Sequence, residues 1–262
     1  MGKGRKEDMQ EAREPLSMWE PLQKTIELLR KGKRNRPLAI EFLEVAEQDM
    51  KASEVLYDQE LYALSTFHLQ QAIEKTVKSI GYLYGISDAR SLEHTSAKGL
   101  IKILEQYREF VTPFFELAKV LTQVSMPSIS ETLAQAKGGL EDLSADPKWL
   151  RIEYERIQSF LSIADQLRQG VNAKFEEIKE SISQSIPQNY FKAFERSLRF
   201  ALDYITLYFL ATLTFCHESC TRYPDDKRIL KPKEYSSELG IVKASPRIRE
   251  HLQEVLENLK QE

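Results

Sequence analysis

The chain has 262 residues, of which 29% are charged and 10% aromatic, and its formal net charge is −3. That length is ample for a large hydrophobic core, the composition excludes a disordered chain, and the near-neutral balance excludes a surface that traps polyanions everywhere. Only 10 Gly and 10 Pro occur, the Pro in clusters, and the long stretches between them favour an all-helical chain.

Residues 1–37 read as a polar extension. Within it "RKGKRNR", residues 30–36, places five basic groups in seven positions. Such a run is either a solvated junction before a helix or a strip that contacts phosphate. No apolar segment follows the charged start, and residue 6 is Lys, so neither a signal peptide nor a myristoylation motif is read. A cytoplasmic protein without membrane contact is expected.

From Pro37 the apolar positions Leu38, Phe42, Val45, Ala46, Met50, Ala52, Val55 and Leu56 recur at helical spacing, until "YDQEL" interrupts them at 57–61. A second helix is predicted over about 60–84, with Leu69, Ile73, Val77 and Ile80 as its core stripe. "GISDARSLEHTS" reads as a loop. Thr95 or Ser96 then caps a third helix that continues, kinked, past Pro113 to Leu121. After the break "SMPSIS" at 125–130, helices are predicted over 130–143, 147–168 and 171–184. A long helix from 188 to about 220 carries Phe191, Phe194, Leu198, Leu202, Ile205, Phe209 and Phe215. Its most apolar run, 204–215, is too short to span a bilayer. A last amphipathic helix is predicted over 246–261. The expected architecture is all-α: an antiparallel up-and-down bundle over 38–226 with a helical insertion at about 127–185, then a tail with a short helix at 227–262.

Familiar catalytic signatures are missing: no Gly-rich phosphate loop, no G-x-S-x-G, no H-E-x-x-H. Cys216, His217 and Cys220 crowd one helical turn, but neighbouring positions point about 100° apart, so no metal site is expected there, and no cofactor. The second helix is the informative element. His68, Gln71, Lys75, Lys78 and Tyr82 fall on one narrow stripe, away from the core stripe, with Gln70 and Glu74 flanking it. This coherent polar face is either solvated, or it binds phosphate and stacks a base, or it pairs across a subunit seam.

The segment 43–85 resembles the first two helices of the HEPN family. The family's "A-E-x-D" corresponds to Ala46, Glu47 and Asp49. Its "Y-x-x-x-x-F-x-x-Q-Q-A-x-E-K-x-x-K" corresponds to Tyr62, Phe67, Gln70, Gln71, Ala72, Glu74, Lys75 and Lys78. "EHTSAKGLIKIL" is similar to the family's third-helix start, and Arg222, Tyr223, Pro224 and Asp225 to its terminal "R-Y-P-D". The likeness covers about 38–126 and 186–226.

The resemblance implies a four- or five-helix bundle that usually dimerises. Many relatives are ribonucleases, toxins of toxin–antitoxin pairs among them, whose motif is Arg, four to six residues, then His. Others bind nucleotides or partner a small nucleotidyltransferase. No His here has an Arg at that offset: Arg90 and His94, like Arg247 and His251, are separated by three residues. The resemblance therefore implies a non-catalytic homodimeric domain that binds a nucleotide or RNA phosphate through His68, Gln71, Lys75, Lys78, Tyr82, Arg222 and Tyr223. The alternatives are a metal-independent ribonuclease using Arg90 and His94, and an interaction module for a nucleotidyltransferase.

Overall fold

In a computed structural model, residues 35–85, 96–106, 147–185, 188–222 and 230–261 are described, with isolated positions between 112 and 138. The expected kinked helix past Pro113, most of the helix at 130–143, most of the basic run 30–36, Arg90, His94 and Tyr223 lie outside them. The main helices are α1 (Arg36–Asp58), α2 (Tyr62–Tyr84), α3 (Ser96–Gln106), α4 (Tyr154–Ser185), α5 (Gln188–Phe215), α6 (His217–Cys220) and α7 (Gly240–Lys260). Among the described residues there is no strand, so the chain is an all-α bundle.

Helix α1 starts where Asn35 Oδ1 accepts the Leu38 N–H at 3.2 Å, with Pro37 inside the first turn. It stops at "YDQEL". The Leu61 N–H donates to the Leu56 carbonyl and the Glu60 N–H to the Tyr57 carbonyl, with Glu60 at φ 60°. That is a Schellman cap, built with Glu where glycine is usual. The chain then reverses into α2. Ala39, Leu43 and Ala46 of α1 pack on Leu69, Ala72, Ile73, Val77 and Ile80 of α2, all buried. Small residues let the two helices approach closely. Near the turn, the buried Ser65 hydroxyl donates to the Ser53 carbonyl at 2.7 Å.

Helix α7 supplies the largest apolar face laid against this hairpin. Ile241, Val242, Ala244, Ile248, Leu252, Val255, Leu256 and Leu259 are all buried in the common core, and α7 touches α1, α2, α4 and α5. The expected short helix from 246 in a tail is thus corrected: the helix begins six residues earlier and is integral to the bundle. Pro246, at the expected start, sits inside α7. Gly240 permits the early start. A Cβ there would lie 2.1 Å from the Ile152 carbonyl oxygen, so only glycine lets α7 begin against that backbone.

Residues 154–185, read from the sequence as two helices of an insertion, 147–168 and 171–184, form one continuous helix. It places Ile157 and Leu161 in the same core. Gly170 meets nothing within 4 Å, so it is neither a hinge contact nor a cap. Helix α5 ends at Phe215, short of the expected 220, and a brief α6 follows. The stretch Leu198–Phe215 is apolar and long enough by composition to cross a membrane, longer than the run 204–215 read from the sequence. Half of it is buried inside the bundle.

Candidate functional site

The polar stripe of α2 faces α1, which closes over one side of it. Asp49 of α1 is the hub. Its Oδ1 lies 2.8 Å from His68 Nδ1 and its Oδ2 lies 2.7 Å from the Lys75 ammonium. Both groups are partly shielded, the side chains of His68 and Lys75 being 30% and 22% exposed. Lys75 also donates to Gln71 Oε1 at 3.1 Å. The Gln71 amide passes the chain on, donating to Gln70 Oε1 at 2.7 Å and to Glu74 Oε2 at 3.3 Å. Lys78 completes it with an ion pair to Glu74 Oε1 at 2.6 Å. A continuous network therefore runs from Asp49 to Lys78. It fixes the orientation of the Gln71 amide.

Gln70 and Glu74, expected to flank the stripe, are in fact buried, 1% and 5% exposed. Leaving either unpaired would cost about 1–3 kcal/mol. Gln71 and Lys78 prevent that, so these two stripe residues satisfy buried neighbours as well as face outward. Tyr82, at the far end, stacks on Phe42 of α1 with ring centroids 5.5 Å apart.

Arg222 comes back to α2 from the end of α6. Its guanidinium carbon is 4.6 Å from the centroid of Phe67, and the Phe67 ring meets His68 edge-on at 5.2 Å. Arg222 is exposed and forms no ion pair among the described residues. The structure thus gathers His68, Gln71, Lys75, Lys78 and Tyr82 on one face and sets Arg222 at its corner. Tyr223, Arg90 and His94 lie outside the described residues. Asp49 and Phe67 were visible in the sequence as family-pattern residues. Their roles were not, because each depends on a contact between helices.

A second polar cluster joins α4, α5 and α7. Asp203, 2% exposed, accepts from Arg168 at 2.8 Å and from Asn258 at 3.0 Å, and Arg168 also pairs with Glu254. Burial raises the Asp203 carboxyl from 3.8 to about 7, against the opposing pull of Asn258 and Arg168. A cleft of about 480 Å³, bordered by Asn172, Phe175 and Leu198, opens beside it. Further along, Arg247 and His251 of α7 both approach Asp165 of α4, at 2.5 and 3.5 Å. Hydropathy spacing gives no sign of these clusters, since their bonded partners stand 35 to 86 positions apart in the chain.

His217 is fully buried, with Nδ1 2.8 Å from the Tyr235 hydroxyl, and burial lowers its pKa from 6.5 to about 4. Cys216 and Cys220 are free thiols beside it. Among the described residues no three His, Cys, Asp or Glu side chains are grouped to hold a metal ion.

No curated protein and no solved structure matches the chain. The family model for the HEPN domain matches residues 39–174. That span takes in α1, α2, α3 and most of α4, including the segment the sequence likeness had set aside, and ends before Arg222. It covers just over half of the 262 residues, on an all-helical bundle: the chain belongs to the HEPN domain family.

Proposed function

We propose that this HEPN domain is a non-catalytic, homodimeric nucleotide- or nucleic-acid-phosphate-binding module, with its site on the α1–α2 face. The observation that carries this reading is the corner at Phe67. Arg222 lies stacked there, exposed and without an ion pair among the described residues, next to the Asp49-bound His68. Stacking on the ring fixes the guanidinium plane and leaves in-plane N–H donors for a phosphate. His68 and Phe67 provide an aromatic flank for a base. Lys75 and Lys78, also in the set expected from the sequence, are each held by a carboxylate, so they take a supporting role. Calorimetric titration with AMP tests the site. Arg222→Gln is expected to weaken binding by about tenfold, in line with loss of a charge-assisted pair. Unchanged affinity in that variant would remove the corner from consideration.

A second reading has its own support. Asp49 neutralises Lys75 and Glu74 neutralises Lys78, while Val45 and Leu64, one helical turn from Asp49 and His68, are exposed apolar residues. A self-neutralised stripe with apolar neighbours suits a seam with a second copy or with a nucleotidyltransferase. Equilibrium sedimentation of the parent and Val45→Glu/Leu64→Glu distinguishes this use of the face: dissociation of a dimer would support it. The ribonuclease alternative rests on Arg90 and His94. RNA left intact by the protein in chelator would end it.

A further inference from the structure

The charge state of the α1–α2 face constrains its ligand more tightly than a general preference for phosphate, and the constraint rests on the nucleotide-binding reading above. Two carboxylates, Asp49 and Glu74, are built into the face beside three cations, Lys75, Lys78 and Arg222. Each lysine is spent on its own carboxylate at 2.7 and 2.6 Å. Among the described residues of the face one positive charge is left over, and it belongs to Arg222. The carboxylates cannot withdraw to make room. Glu74 is buried and also accepts from Gln71, and Asp49 is anchored on His68 as well as Lys75. A second or third phosphate laid along the stripe would therefore meet two fixed anions before it met a free cation. Like charges juxtaposed in a partly buried face are strongly unfavourable.

We infer that the site accepts a single phosphate group attached to a base-bearing ligand, and discriminates against nucleoside di- and triphosphates. In this arrangement Arg222 takes the phosphate, Phe67 and His68 flank the base or sugar, and the Asp49–Lys75 and Glu74–Lys78 pairs act as an electrostatic wall. Asp49 is then a specificity-determining residue that does not touch the ligand.

The experiment is calorimetric titration of the full chain with AMP, ADP and ATP at low salt in chelator, so that no divalent cation masks the added phosphates. AMP is expected to bind about tenfold or more tighter than ATP, with ADP between them, reversing the order that a general polyanion site gives. ATP binding as tightly as AMP would overturn the inference and leave the nucleotide-binding reading standing. Failure of all three to bind would overturn both. A short oligoribonucleotide without terminal phosphates separates the two sources of a single phosphate: tighter binding than AMP assigns a strand, weaker binding a free nucleotide. The variant Asp49→Asn keeps a hydrogen-bonding group beside His68 but frees Lys75. With its thermal melt confirming the fold, it is expected to raise ATP affinity relative to AMP by about tenfold. An unchanged AMP-to-ATP ratio in that variant would remove Asp49 from the role.

Discussion

Two buried titratable residues pull the stability of this bundle in opposite directions with pH. Asp203 has its carboxyl raised by burial from 3.8 to about 7. The folded state holds that proton more tightly than the unfolded one, so its contribution is fullest below pH 3.8 and is lost as pH rises towards 7. His217 is lowered by burial from 6.5 to about 4. Its contribution is complete above pH 6.5 and is lost as pH falls towards 4. Between about pH 4.5 and 6 the two slopes oppose each other. Asp203→Asn should leave the His217 slope, reinforced by His251, whose pKa burial also lowers, so urea unfolding of that variant should show stability falling as pH drops across this window. The parent should be flatter there. A parent and variant with identical pH profiles would contradict the assignment. The same variant should be at least as stable as the parent at pH 8, where Asp203 is ionised and costly to bury.

At the scale of the element, glycines separate what local sequence could and could not reveal. Gly170 lies inside α4 with open space around its missing side chain. Gly170→Ala should therefore stabilise the protein by about 0.5–1 kcal/mol, read as a higher urea midpoint at unchanged slope. Gly240 is the opposite case. Alanine there would collide with the Ile152 carbonyl, and a cost of about 1–3 kcal/mol is expected in the same assay. Nothing in the sequence distinguishes these two glycines, because the difference is made by a chain segment some ninety positions away. Pro246 is a related case. A proline ends or opens a helix on local grounds, yet α7 runs through it because Ile241 and Val242 on its near side are buried in the core. By contrast, the period of Leu69, Ile73, Val77 and Ile80 gave α2 and its core face correctly, since a helix with one buried stripe reports itself in its own spacing. The burial of Gln70 and Glu74 had no such signal: they sit at the edge of the stripe, and neighbouring helices decide whether that edge is wet. Glu60, which occupies the left-handed cap position between α1 and α2, offers a third test. Glu60→Gly should stabilise the hairpin by about 1 kcal/mol.

For the whole molecule, the all-α class and the polar face of α2 were legible in the order of apolar and polar residues. The closing of the bundle by α7 was not. Seven buried aliphatic side chains from that helix, Ile241, Val242, Ile248, Leu252, Val255, Leu256 and Leu259, enter the core shared with α1 and α2. At about 1.5–3 kcal/mol each they together match or exceed the net stability of about 5–15 kcal/mol of an ordinary domain. A chain stopped before Gly240 should lose its cooperative thermal transition, followed by circular dichroism. A truncated form that melted like the parent would show that α7 is dispensable.

The place of α7 also sets a timetable for synthesis. The α1–α2 hairpin emerges from the ribosome well before α7, since the surface that α7 lays over it is encoded about 155 residues later. At about 5–20 residues per second the nascent hairpin waits on the order of ten seconds or more with Leu43, Ile73 and Val77 uncovered by their final partner. During that interval it is a natural client for holding chaperones. The packing of the described helices is completed only when α7 has cleared the exit tunnel.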